Sequence, residues 1–84
     1  MQSDKYCYIT GRRDHLDKHH VYGAANRQKS EIYGCWCWLN HDVHMEAHSR
    51  RPELLRQLKQ ECQARFEEEY DHDTFMKVFG KNYL

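Results

Sequence analysis

The sequence predicts an α+β fold: a β-hairpin packed on helices, with a long amphipathic helix and a short terminal helix completing its C-terminal part. Three observations predict it. The run "YCYITGRRDHLDKHHVYG", residues 6–23, sets two β-prone stretches around a glycine- and charge-rich turn. From Pro52 to Tyr70, Leu54, Leu55, Leu58, Cys62, Phe66 and Tyr70 recur at three- and four-residue steps, the pattern of a helix with one face on a core. At 84 residues the chain fits one domain, 1–84, with residues 7–48 as its core and 52–84 as its helical part.

Taken in chain order, Tyr6 to Thr10 and Leu16 to Tyr22 are the expected strands of the hairpin, turning at Gly11 to Asp14. "AANRQKSE" reads as a loop, and "IYGCWCWL" as a further short strand ending at Leu39. On that strand Cys35 and Cys37 alternate with Trp36 and Trp38, which sends both thiols to one face and both indoles to the other. "NHDVHMEAHS" opens with Asn40 and Asp42, both good helix caps, and places His44 and His48 four residues apart. Pro52 suits the first turn of the long helix, whose opposite face, Arg56, Lys59, Gln63 and Glu67, is expected in solvent. In the terminal helix Asp73 is the expected cap and Gly80 the stop.

Composition sets bounds on function. Thirteen Lys+Arg balance thirteen Asp+Glu, which selects neither a nucleic-acid binder nor an enzyme for acidic substrates. The distribution is uneven: residues 1–60 hold ten basic against seven acidic residues, net +3, and 61–84 hold three against six, net −3. A phosphate-facing surface therefore belongs to the first part. No apolar run approaches a membrane span, and "MQSDKY" lacks the hydrophobic segment of a signal peptide, so the expected location is the cytoplasm, with no membrane partner. In that compartment Cys7, Cys35, Cys37 and Cys62 are expected as thiols rather than disulfides.

Seven histidines are the more informative count. Two imidazoles at i and i+4 on a helix project to one face and can share a metal ion, which His44 and His48 satisfy. The adjacent His19 and His20 lie on a strand, where neighbouring side chains diverge, so one can join the metal while the other faces a substrate. Three protein ligands leave positions open for water and a substrate oxygen.

The order Cys7-x-x-Thr10-Gly11, then His19-His20, then Leu39-x-x-x-x-His44-x-x-x-His48 resembles the HNH endonuclease family, over residues 7–48. That family often reads C-x-x-C-G, a D-H or H-H pair, and N-x-x-x-L-C-x-x-C-H-x-x-x-H. The segment from Leu54 onward is also similar to the tails of small phage and prophage HNH proteins. The resemblance implies a ββα-metal, treble-clef-like fold and a metal-dependent DNA endonuclease leaving a 5′ phosphate and a 3′ hydroxyl. It implies one divalent ion (Mg, Mn, Ni or Zn) held by His19, His44 and His48, and His20 as the general base. DNA is the implied partner, with phage packaging or recombination proteins as further partners by family analogy. Arg27 and Lys29, in the loop after the histidine pair, and Arg12 and Arg13 in the turn before it are the expected phosphate contacts.

The chain departs from the family at two places. Of the four positions where relatives carry a zinc knuckle only Cys7 keeps a thiol, with Thr10, Asn40 and Val43 at the others, so no structural zinc is expected there. The middle asparagine falls on Cys35, which cannot make the same amide hydrogen bonds, leaving Asn26 and Asn40 as amides that could replace it. The alternative expectation is therefore a non-catalytic, metal-stabilised nucleic-acid-binding or adaptor module.

Overall fold

The computed structural model describes residues 1–84 as two antiparallel strands and four helices, an α+β arrangement. Strand β1 (Leu16–His20) pairs with β2 (Trp36–Asn40), Leu16 opposite Asn40 and His20 opposite Trp36. Between the strands lie a 3-10 turn at Ala24–Asn26 and helix α1 (Arg27–Ile32). Helix α2 (His41–Ala47) follows β2 without a break, and α3 (Glu53–Glu69) and α4 (His72–Phe79) complete the chain. No helix is long and apolar enough to cross a membrane.

The hairpin thus joins a different pair of strands from the one expected. Residues 6–10 fold on themselves: the Cys7 amide donates to the Arg12 carbonyl at 2.7 Å, and Gly11, at φ +79°, returns its amide to the Cys7 carbonyl at 2.7 Å. Those short-range bonds occupy the groups that a hairpin with 16–22 would have used. The segment instead covers the free edge of β2, where the Trp38 carbonyl accepts from the Tyr8 amide and the Trp38 amide donates to Gln2 Oε1, both at 2.8 Å.

The expected loop at 24–31 is mostly helical, and the strand expected from Ile32 begins only at Trp36. Arg27 to Ile32 are adequate helix formers, and Ser30, fully buried, fastens α1 to the end of β1 by bonding both backbone groups of Tyr22. Asn40 caps α2 as expected, accepting from the Asp42 amide at 3.1 Å. Asp71 rather than Asp73 caps α4, accepting from the Thr74 amide at 2.6 Å; its extended backbone puts the carboxylate in reach of that amide, while Asp73 already lies in the first turn. Gly80, at φ +78°, ends α4 as expected.

The core lies between the inner sheet face and α3 and α4. Cys35, Cys37 and Leu39 point inward from the strand region, while Trp36 and Trp38 sit half-buried on the other face with their rings 5.7 Å apart. All four cysteines are free and buried, and burial pushes the Cys37 thiol up to about 12. Leu54, Leu58, Cys62 and Phe66 bury from α3, whereas Leu55 is only half-buried and Tyr70 is exposed. Gln63, expected in solvent, is fully buried. Its Oε1 accepts from the Tyr83 amide at 2.8 Å, and its Nε2 donates to Glu67 and Asn82, so the C-terminal tail folds back onto α3. A satisfied amide costs far less to bury than a bare one, which is how a glutamine occupies that position.

Candidate metal centre

Alternation along β1 sorts its side chains by purpose. Asp17 and His19 share the face toward α2, and Lys18 and His20 share the other, toward α1. From α2, His44 and from its C-terminal cap His48 meet His19: the ring centroids are 5.2 Å apart for His19–His44, 6.1 Å for His19–His48 and 5.0 Å for His44–His48. One nitrogen from each of the three lies within 4.8 Å of the others, so together they can hold a metal ion. The three residues expected as ligands are thus brought to one place by the hairpin and the helix that follows it.

The protonation pattern suits that role. His19 is only 8 % exposed, and burial, followed by the neighbouring His44 and His48, lowers its pKa from 6.5 to about 4. At neutral pH it is an uncharged donor, as a metal requires. Asp17 Oδ2 accepts from His44 Nδ1 at 3.1 Å and from His41 Nδ1 at 2.8 Å. Those two bonds, His41 first, hold the Asp17 carboxyl below its usual range. A carboxylate only accepts, so the proton of His44 sits on Nδ1 and the lone pair is left on Nε2.

His20 is governed separately. Its Nε2 lies 2.6 Å from Glu31 Oε2, while Glu31 Oε1 takes the Lys18 ammonium at 2.7 Å. Lys18, then His20, lower the Glu31 carboxyl. By the same reasoning His20 carries its proton on Nε2 and keeps the Nδ1 lone pair, with the imidazole on the rim of the cleft that His19 and His48 also line.

Of the cations expected at phosphates, Arg27 lines the cleft. The others lie elsewhere. Arg12 is bound to Asp14 at 2.6 Å, Arg13 sits 5.8 Å from the Tyr6 ring centre, and Lys29 donates to the Val78 carbonyl at 2.9 Å. The backbone bonds that curl residues 7–12 carry Arg12 and Arg13 away, and the helical turn at Lys29 points it to α4. Lys59, expected in solvent, lines the cleft from α3.

Three further residues shape the site without having been expected there. Asp17 is legible in principle, because it stands two positions before His19 and so shares its strand face. Glu31 is not, since its approach depends on α1. Ser30 tethers the backbone just after β1: its hydroxyl donates to the Tyr22 carbonyl at 2.7 Å and accepts from the Tyr22 amide at 3.2 Å, two residues beyond His20. Neither candidate amide does this. Asn26 donates to the Phe79 carbonyl, and Asn40 caps α2 and donates to the Asp14 carbonyl.

No family model, no curated protein and no solved structure matches the chain.

Proposed function

We propose that the protein is a metal-dependent DNA endonuclease of HNH type, with β1, β2 and α2 as its ββα-metal unit. The observation that supports this best is the pairing of a three-histidine metal centre with a fourth histidine, His20, backed by a carboxylate and bordering the same cleft. His19, His44 and His48 would hold one divalent ion, and three imidazole donors suit Zn or Ni better than Mg or Mn, which favour oxygen ligands. Bound there, the ion supplies neutralisation of charge at the scissile phosphate and at the leaving 3′ oxygen.

The chain's own groups do the rest. His20 Nδ1 removes a proton from water as its oxygen attacks phosphorus, and the bond from phosphorus to the 3′ oxygen breaks. Glu31 orients the ring and offsets the positive charge it gains. Arg27 contributes a cation beside the strand. The leaving 3′ oxygen takes a proton from solvent water, and the products are a 5′ phosphate and a 3′ hydroxyl.

A second reading, a non-catalytic metal-stabilised nucleic-acid-binding or adaptor module, is favoured by one observation: Cys35, at the position of the family's asparagine, is buried in the core and cannot reach the cleft. Plasmid incubated with the protein and Mg²⁺, Mn²⁺, Ni²⁺ or Zn²⁺, against EDTA and against His20→Ala, separates the two. Metal-dependent nicking lost in the variant is the expected result. Binding without cleavage under every metal establishes the module instead.

A further inference from the structure

His19, His20 and His48 border two adjoining hollows lined by different residues. One, about 280 Å³, takes in Lys18, Arg27 and His44. The other, about 370 Å³, is floored by Tyr22, Leu55 and Tyr83, with Lys59 and Asn26 among its polar lining. A phosphate gains nothing from an apolar floor, whereas the face of a nucleobase gains much from one. In an intact duplex that face is covered by its stacked neighbours, so only an unpaired nucleotide can present it.

The hollow is built rather than incidental. Tyr83, beyond α4, is held at several points. Its amide donates to buried Gln63, its carbonyl accepts from Gln60 Nε2 at 2.9 Å, and its ring stacks on Tyr22 at 5.2 Å and 29°. The Lys59 and Lys81 ammonium groups each lie 5.4 Å from the Tyr83 ring centre, and neither makes an ion pair. Asn26 spends its Nδ2 on the Phe79 carbonyl, which leaves its amide oxygen as an acceptor. The volume falls in the range of small-ligand sites, about 300–1,000 Å³.

We propose that this hollow receives an unpaired nucleotide flanking the phosphate at the histidines, its base against Leu55 and Tyr83 and its far phosphate at Lys59. The substrate class is then single-stranded or locally unpaired DNA. The inference rests on the nuclease reading for what lies at the histidines, but its test does not require cleavage.

Fluorescence anisotropy of the intact protein with a labelled 12-nucleotide single strand and with the matching duplex, each with and without Zn²⁺ and with strand integrity checked on a gel, measures it. The single strand is expected to bind about tenfold tighter than the duplex. Lys59→Gln should weaken single-strand binding about fivefold and flatten its salt dependence, and Tyr83→Ser should remove most of the preference. Circular dichroism melts establish that both variants are folded. Equal or tighter duplex binding, no binding of either, or a preference that survives both substitutions overturns the proposal. A single-strand preference without cleavage under any metal upholds it while removing the nuclease reading, and cleavage without the preference does the reverse.

Discussion

Asp17 Oδ2 accepts hydrogen bonds from both His41 and His44, at 2.8 and 3.1 Å, and so fixes from the adjacent strand the tautomer of a histidine in the candidate metal centre. A carboxylate in this position orients the ring and raises its basicity as a ligand. Asp17→Ala is therefore expected to weaken Zn²⁺ affinity about 10–100-fold by calorimetric titration. His41→Ala, which removes only the more exposed partner, should change it little. Undiminished affinity in Asp17→Ala would show that His44 is positioned without the carboxylate.

The two faces of β1 predict different failures for adjacent histidines. His19→Ala should lose metal affinity and cleavage together, whereas His20→Ala should keep metal and DNA binding and lose about 10²–10⁴-fold in cleavage rate. Glu31→Gln should fall between His20→Ala and the unaltered protein in rate and leave metal affinity unchanged. Metal titration and plasmid nicking on the same preparations check this. If metal affinity is lost in His20→Ala and kept in His19→Ala, the roles are exchanged.

The depressed pKa of His19 makes stability depend on pH in a known direction. In the unfolded chain His19 titrates near 6.5, and in the folded protein near 4. Between those values the unfolded state binds a proton that the folded state refuses, so stability is full above about pH 6.5 and falls as pH drops toward 4. The loss is on the order of 3 kcal/mol, because lowering a pKa by one is worth about 1.4 kcal/mol. Urea midpoints at pH 7, 6 and 5 should fall progressively, and His19→Gln should flatten that slope. An unchanged slope in the variant assigns the effect to other groups.

Gln63 ties the tail to α3 through two hydrogen bonds, to Asn82 and from the Tyr83 amide, while itself fully buried. Gln63→Ala strands the Tyr83 amide and removes packing, at a cost of about 1–3 kcal/mol read from urea unfolding. Hydrogen exchange at residues 81–84 should accelerate in the same variant. Slow exchange there would mean that the Tyr22–Tyr83 stack and the Gln60 bond to the Tyr83 carbonyl hold the tail without Gln63.

Features that depend on local spacing were legible in the chain before any fold was known. The 3.6-residue period of Leu54, Leu58, Cys62 and Phe66 defines a helix and its buried side wherever the core lies, and the Cys–Trp alternation at 35–38 sorts thiols to one face and indoles to the other by strand geometry alone. The histidine set was legible for the same reason: His44 and His48 share a helix face, and His19 and His20 diverge on a strand. Whatever depends on partners distant in sequence was settled by tertiary structure. Residues 6–10 and 36–40 both have strand-like composition, and only the competition for backbone hydrogen bonds makes the second of them the partner of β1. Glu31 reaches His20 because α1 folds back over the strand, and Gln63 is buried because Asn82 and Tyr83 return to satisfy it. A polar side chain carries no sign in the sequence of which groups will meet its hydrogen-bonding needs, so its burial is settled only when distant segments come together.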